Sequence, residues 1–482
     1  MKISDIIYKE EYVLNEIDLA TEIKGICTNE DDVKEGFVLL IPNSTKYKHN
    51  ENATSPVAVI CDKEANVPSF LPKIYVEKAR LAISNAYMRF YSPNLSDVTL
   101  IGITGTNGKT STATIIENIL SKTGKKIGFI GTGRISISGT TITPDYYSMT
   151  TPDPEKLYPA LRRMTDEKCE IIVMEVSSHS LALDKVAPLF FDYAVFTNLS
   201  SEHRDFHLDM EDYFAAKSKL FARCKSAVIN IDCPYGRRLK KVCNAKNIVT
   251  TGILWRGDVY ARKLEFKGFN GSSYIYYNKE YSFKTNIALP GIFNIYNTLI
   301  ASAVCIDIGV TPCFLKKQLE NISSIPGRYE IIKDKITVII DYAHTDEAFS
   351  NILKELNKNK KASTLTVVFG CGGKRDREKR PKMARIAEKY ADKIIITSDN
   401  SRSEDPENIV SDILLGLTKH KHTVIIDRAK AIENSILTAK DGDIVALIGK
   451  GHEKYNIDSA GYHPFDEKAL VNDALKKRNS EI

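Results

Sequence analysis

Apolar residues fall along this chain as short runs, each followed by a longer stretch with helical spacing of apolar and polar positions. From residue 97 onward the runs include Lys126-Ile-Gly-Phe-Ile130, Ile171-Ile-Val-Met174, Ala194-Val-Phe-Thr197 and Ala227-Val-Ile-Asn230. Such alternation predicts buried strands in a parallel sheet covered by helices. Between about 250 and 290 the texture changes to Tyr- and Phe-rich alternation (Ser273-Tyr-Ile-Tyr-Tyr277), which predicts an antiparallel annex. Ser323-Ser-Ile-Pro326-Gly327 reads as a hinge. Beyond it Thr337-Val-Ile-Ile340, Leu365-Thr-Val-Val-Phe369, Lys393-Ile-Ile-Ile396, Val424-Ile-Ile426 and Asp443-Ile-Val-Ala-Leu-Ile448 alternate with helices again.

The expected fold is therefore α/β with three domains. A small N-terminal α/β domain covers 1–95, with short runs at Gly36-Phe-Val-Leu-Leu-Ile41 and Val57-Ala-Val-Ile60. A central parallel-sheet domain covers 96–325, and a C-terminal doubly wound, Rossmann-like domain covers 326–482. A chain of 482 residues is too long for one compact core, which agrees with this division. No repeat or low-complexity tract interrupts it.

Composition narrows the class without choosing a function. Apolar content of 43% and charged content of 27% suit a water-soluble globular protein. No apolar run is long enough for a bilayer, and the first residues carry acids rather than a signal-peptide core. Nine cysteines, scattered and never paired as Cys-x-x-Cys, predict neither disulfides nor a zinc cluster and suit a reducing cytoplasm. A net charge of +6, with acids interspersed among the lysines, is compatible with an anionic small substrate and shows no nucleic-acid stripe.

The chemistry starts at residues 98–111, where an apolar run enters Gly105-Thr106-Asn107-Gly108-Lys109-Thr110-Ser111 and helical sequence follows. Strand, glycine-rich turn and helix N-terminus are the layout of a phosphate cradle. Lys109 would reach the outer phosphates, and the Thr110 hydroxyl would touch Mg²⁺. Ile103 stands where a strict P-loop has its first glycine. Next, the run at 171–174 ends in Glu175-Val-Ser-Ser-His179, placing a carboxylate at a strand's carboxyl end, the usual Mg²⁺ holder beside a P-loop. A third segment, Glu202-His203-Arg204-Asp205-Phe206-His207, continues into a helix carrying Lys217 and offers a second metal site. Alone, His203 reads as a structural histidine and Lys217 as a solvated helix lysine; beside the cradle and Glu175 the functional reading is favoured.

Taken in order, these segments resemble the Mur ligases of peptidoglycan synthesis. The resemblance runs through Thr150-Thr151-Pro152, the Glu175 and His203 motifs, Lys217, Pro290-Gly-Ile-Phe-Asn294-Ile-Tyr-Asn297 and Gly327-Arg328-Tyr-Glu330. It continues through Asp341-Tyr-Ala-His344, Asp399-Asn400-Ser401-Arg402 and Gly449-Lys-Gly-His-Glu453, spanning roughly residues 98 to 470. The last two motifs are most like the tripeptide-synthetase branch of the family. The resemblance implies an ATP-dependent, Mg²⁺-requiring amide ligase. ATP would lie against Gly105 to Ser111 and against Asn294, Asn297, Arg328 and Asp341. The catalytic set would be Lys109, Glu175, His203 and Lys217. The metal would be held by Thr110, Glu175, His203 and Lys217, the lysine as its carbamate. Thr150, Thr151, Ser177 and Lys185 would contact a UDP-sugar peptide acceptor, and Arg375, Asp399, Asn400, Arg402, Gly449 and Glu453 the incoming amino acid. A monomer is expected.

Charge favours one amino acid. Meso-diaminopimelate carries one more carboxylate than L-lysine, and Arg402 supplies a guanidinium fork for it, while Glu453 would pair the distal ammonium. The expected reaction joins meso-diaminopimelate to UDP-N-acetylmuramoyl-L-alanyl-D-glutamate through an acyl phosphate. Some positions depart from the family pattern. Asn29-Glu30-Asp31 replaces Asp-Ser-Arg, setting acids where a diphosphate would lie. Arg204 stands beside His203, Lys185 replaces an arginine, Gly373-Lys374-Arg375-Asp376 replaces Gly-Gly-Asp-Arg-Asp, and Ser401 and Asp346 replace prolines. The alternatives are a paralogue that ligates lysine or another amino acid to a different carboxylate acceptor, a folylpolyglutamate-synthetase-like ligase, and a non-catalytic P-loop protein.

Overall fold

A computed structural model describes residues 1–7, 12–14, 17–42, 54–144, 149–200, 206–419 and 422–481. Its strands form three large sheets and a small hairpin. In the first sheet the parallel strands Gly25–Cys27, Phe37–Leu40, Ala58–Cys61 and Lys73–Val76 lie side by side, and Tyr12–Leu14 runs antiparallel at one edge. The helix Ala79–Tyr91 follows and stops at Ser92, whose left-handed φ of 42° breaks the helical path. It packs on the helix Pro154–Asp166 of the next domain. Leu157, Tyr158 and Leu161 from that helix join Ile26, Val38, Ile60 and Tyr87 in one continuous apolar cluster. The first two domains thus share a core.

Among the described residues the central sheet has eleven strands, and Thr99–Thr104 lies in its interior between Ile171–Glu175 and Phe191–Phe196. After Thr99–Thr104 the chain passes beyond Ile171–Glu175 to build Ile127–Gly131, returns to make Ile171–Glu175, and then crosses to the other side for Phe191–Phe196. The strand order therefore reverses at the end of Thr99–Thr104, and a crevice opens there. Ile103 is still strand, paired with Glu175 and Val195 and fully buried. Burial of such a side chain is worth about 1.5–3 kcal/mol, so the place of a strict P-loop's first glycine is used for packing. The aromatic region divides in two. Val259–Phe266 still runs parallel to Asn247–Gly252, and only Ser272–Tyr277 and Ser282–Ile287 form the antiparallel edge.

The third sheet sets Thr337–Asp341, Ile444–Ile448, Leu365–Phe369, Lys393–Ile396 and His422–Val424 in parallel, with Glu330–Lys333 antiparallel at its edge. The run expected at 424–426 pairs over His422–Val424, because the chain turns into the helix capped by Asp427. The hinge segment is a tight turn: Ile325 and Arg328 form a β-bridge around Pro326 and Gly327, and Gly327 has φ of 64°. Among the described residues no helix is long and apolar enough to cross a membrane. All nine cysteines are free thiols.

Candidate active site

Residues at the carboxyl ends of the second and third sheets line one cavity of about 1110 Å³. Its central-domain wall is the turn after Thr99–Thr104. Gly105 has φ of 149°, and a Cβ there would come within 1.9 Å of Thr197 Oγ1. Gly108 has φ of 83°, and its Cβ would meet Asn297 Oδ1 at 2.5 Å. Both glycines are thus required by close approach as well as by backbone angle. Asn107 is clamped between them: its N–H donates to Asn198 Oδ1 (2.9 Å), and its carbonyl accepts from Asn198 Nδ2 (3.0 Å) and from the Thr197 hydroxyl (2.6 Å). The helix Lys109–Ser121 then starts with its N-terminus on the cavity, a favourable seat for an anion. The Lys109 ammonium folds over its own turn, donating to the carbonyls of Gly105 (2.9 Å) and Thr106 (2.8 Å).

Glu175, the last residue of its strand, is wholly buried. It accepts from the Thr110 hydroxyl (2.9 Å), the Thr132 N–H (2.9 Å) and the Thr132 hydroxyl (3.2 Å). Lys217 sits near the end of the helix Met210–Ser218, which Asp209 caps by accepting from the N–H groups of Glu211 and Asp212. Its ammonium is buried, donates to Gly105 O (3.0 Å) and stands 4.6 Å above the Tyr213 ring, whose hydroxyl pairs with Thr106 Oγ1 at 3.2 Å. A cation held this deep against the cradle is not a solvated helix lysine. Residues 201–205, which include His203, lie outside the described residues.

The helix Ile292–Asp307 brings Asn294 and Asn297 to the cavity, where Thr112 donates to Asn297 Oδ1 at 3.4 Å. Across the hinge, Arg328 donates to the Thr110 hydroxyl (3.0 Å), and its guanidinium stacks 4.3 Å from the Tyr342 ring centroid. Asp341 accepts the N–H groups of Tyr329 (2.5 Å) and Ala343 (2.6 Å); burial, opposed by Arg328, pushes its carboxyl up to about 6. Thr150 meets the Thr132 hydroxyl (3.0 Å), and Thr151 donates to Glu175 O (2.9 Å) while accepting the Ser177 N–H (2.9 Å). Lys185 is paired with Asp153 at 2.6 Å.

Opposite the cradle, Lys450 is fully buried. It donates to Asn400 Oδ1 (2.9 Å) and faces Glu453 (3.4 Å) and Asp399 (3.7 Å). Asn400 in turn donates to Glu453 Oε2 (2.8 Å), and the Tyr455 hydroxyl donates to Glu453 Oε1 (3.2 Å). Burial pushes the Glu453 carboxyl up, with Lys450 opposing; for Asp399 burial is overcome by Lys450 and Arg428, and its carboxyl lies below the usual range. Arg402 holds a left-handed φ of 55° and is tied by one nitrogen to the carbonyls of Gly373 (3.0 Å) and Asn400 (3.2 Å). Gly449 and the exposed Arg375 complete this side of the cavity.

A profile of the Mur ligase middle domain matches residues 103–305, and one of the Mur ligase glutamate ligase domain matches 327–451. The UDP-N-acetylmuramoyl-L-alanyl-D-glutamate--2,6-diaminopimelate ligase of Aquifex aeolicus is 40% identical over 463 residues, covering 94% of each chain. The chain belongs to the Mur ligase family. A solved structure titled as a ligase of the same name superimposes with a TM-score of 0.67 at 28% identity, covering 99% of both chains. A folylpolyglutamate synthase of Mycobacterium tuberculosis, at 18% identity, shares the fold over 77% of this chain with a TM-score of 0.64.

This Mur ligase, an ATP-dependent enzyme, brings nearly all its sequence-flagged residues to one cavity. Gly105 and the wholly buried Glu175 sit just behind the cavity wall, and the run at 29–31 is not part of that wall. Asn29 caps a short 3₁₀ turn, Glu30–Asp32, by accepting from the Asp31 N–H, and the Asp31 side chain is exposed. Three residues escaped sequence reasoning. Lys450 and His452 lie inside a motif of which only Gly449 and Glu453 were assigned. Thr132 follows the strand Ile127–Gly131 in a segment with no chemical signature, although Gly133 beside it signals close packing.

Proposed function

We propose that this enzyme adds meso-diaminopimelate to UDP-N-acetylmuramoyl-L-alanyl-D-glutamate, with ATP cleaved to ADP and phosphate. The observation that carries the reading is the shared cavity: a phosphate cradle on one wall faces, on the other, a part-buried carboxylate, a buried amide and a half-buried guanidinium. A carboxylate is a poor acyl donor, so the D-glutamyl side chain is first phosphorylated and the incoming amine then displaces phosphate. The chain's own contribution is positioning and charge neutralisation. Lys109 and the amides of Gly105 to Ser111 hold the polyphosphate, and Asn294, Asn297, Arg328 and Asp341 hold the rest of the nucleotide. Thr150, Thr151, Ser177 and Lys185 steady the acceptor. Asn400, Asp399, Glu453, Gly449 and Arg375 seat the amino acid, and Arg402 reads its distal carboxylate.

Magnesium fits the donor set on the cradle wall, where an enclosed carboxylate and a hydroxyl stand 2.9 Å apart and supply the hard oxygens it takes. Glu175, Thr110, His203 and Lys217 as a carbamate would hold it, and it would neutralise charge on the transferring phosphoryl group. Carbamylation would turn the Lys217 cation into an anionic ligand. Among the described residues no three His, Cys, Asp or Glu side chains form a metal cluster, which is why the lysine's modification matters to this assignment. A monomer that carries both walls of the cavity belongs to this reading, and the UDP-linked acceptor and ATP support a cytoplasmic reaction.

ADP release with Mg-ATP and the UDP-linked dipeptide, comparing meso-diaminopimelate with L-lysine, tests the reading. Acceptor-dependent turnover that prefers diaminopimelate is expected. Turnover with neither amino acid, from folded protein that binds ATP, would favour the second reading: a different carboxylate acceptor, suggested by Glu30 and Asp31 where a serine and a cation are usual.

A further inference from the structure

His452 lies between the two walls of the cavity and belongs to neither assigned set. Its Nε2 donates to the carbonyl of Thr132, 3.0 Å away in the central domain and 320 residues earlier in sequence. The ring's other nitrogen, Nδ1, is enclosed with no hydrogen-bond partner. An apolar side chain would fill this place without stranding a polar atom, so the ring is held here for the bond it makes to Thr132. Two glycines in different domains make room for it. A Cβ on Gly133 would meet Nε2 at 2.5 Å, and one on Gly327, in the hinge turn, would meet the His452 backbone nitrogen at 2.2 Å. The Tyr342 ring, stacked under Arg328, packs beside the imidazole with centroids 5.3 Å apart.

What His452 grips is as telling as the grip. Thr132 directs its N–H and hydroxyl to the two oxygens of Glu175, and Glu175 accepts the Thr110 hydroxyl of the cradle. On the other side, the residue next to His452 is Glu453, anchored by Asn400 and Tyr455 in the amino-acid pocket. A short continuous path therefore runs from Glu453 through His452 and Thr132 to Glu175 and Thr110. We infer that His452 is a positioning residue that latches the C-terminal domain onto Thr132, so that occupation of the amino-acid pocket and alignment of the Glu175 carboxylate favour each other. The inference deepens the proposed ligase reading and rests on it for the identity of the amino acid. Coupling of this kind is reciprocal: each ligand tightens the other by the same factor. It also favours the closed form, in which the acyl phosphate is shielded from water, when the amine is present to consume it.

The test compares the full-length protein with His452→Leu, which keeps bulk and removes the donor, and His452→Gln, which returns an N–H at similar reach. Affinity for the non-hydrolysable analogue AMP-PNP with Mg²⁺ is measured with and without meso-diaminopimelate. Solution scattering of the same samples reports domain closure, and steady-state rates report turnover. In the wild type diaminopimelate tightens the analogue and the particle contracts. In His452→Leu the tightening disappears, the particle stays expanded, and kcat falls about 10- to 100-fold, the range expected for lost positioning, with the acceptor KM unchanged. His452→Gln recovers most of all three. Equal closure and equal kcat in His452→Leu and wild type would overturn the latch, as would a Gln variant no better than Leu. If no sample turns over with either amino acid but His452→Leu alone stays expanded with the analogue, the latch stands and the substrate reading falls.

Discussion

The glycine-rich turn and the Asp399–Glu453 charge cluster, proposed above as phosphate cradle and amino-acid pocket, face each other across one cavity, yet they are built by opposite means. The cradle is made of consecutive residues, Gly105 to Thr110, whose backbone angles and bare α-carbons set the shape, while Thr197, Asn198 and Asn297 fit around them. The pocket is made of side chains from separate loops: Asp399, Asn400 and Arg402 after one strand, Lys450 and Glu453 after another, balancing buried charges against one another. A backbone cradle tolerates the loss of a side chain structurally and loses chemistry. A buried charge network loses structure first, because each ion's partner is what makes its burial bearable.

Four substitutions or titrations press on that contrast. Lys109→Met should lower turnover most, by about a thousand-fold as for loss of a principal charge-stabilising donor, with the melting temperature little changed; ADP release and calorimetry together decide this. Melting as severe as the rate loss would show the cradle to be a network too. Lys217→Ala should lower ADP release by about a hundred-fold, less than loss of Lys109, and unchanged turnover would remove Lys217 from the catalytic set. Lys450→Met should do the reverse, destabilising the protein by about 3–5 kcal/mol in denaturant titration, since Asp399 and Glu453 lose the cation between them. The smallest effect concerns acid. Burial, reinforced by Arg328, holds the His452 imidazole down to about 3, below its usual 6.5. A depressed histidine contributes stability that is complete above 6.5 and is lost as pH falls toward 3. At pH 5 the loss amounts to about 2 kcal/mol, so His452→Gln should lose fewer degrees of melting temperature than wild type between pH 7 and 5.

The same contrast explains what was legible in the sequence. Gly105 to Ser111 announces itself because consecutive residues set its geometry and that geometry needs glycine at set places, although Thr197, Asn198 and Asn297, which fit around it, lie far along the chain. Glu175 was readable because a buried strand ends on it, and the parallel sheets followed from apolar runs alternating with helices. Lys450 was not readable: its nearest partner, Asn400, is 50 residues away, and nothing local separates a buried lysine from an exposed one. His452 and Thr132 are 320 residues apart, and only the folded chain brings them together. The aromatic stretch was read as wholly antiparallel because alternation marks a strand without marking its direction. Val259–Phe266 follows the parallel sheet until the tight Ser272–Ile287 hairpin reverses it.

The apolar cluster shared by the first two domains divides the molecule differently from its sequence blocks. Ile26, Val38 and Tyr87 pack with Leu157 and Leu161, so the N-terminal sheet cannot come away without opening the apolar layer on the Leu100, Met174 and Phe196 face of the central sheet. The C-terminal sheet keeps its own apolar clusters around Phe349, Val367 and Leu447. Three blocks along the chain should therefore unfold as two cooperative units in denaturation, with the cavity at the seam between them.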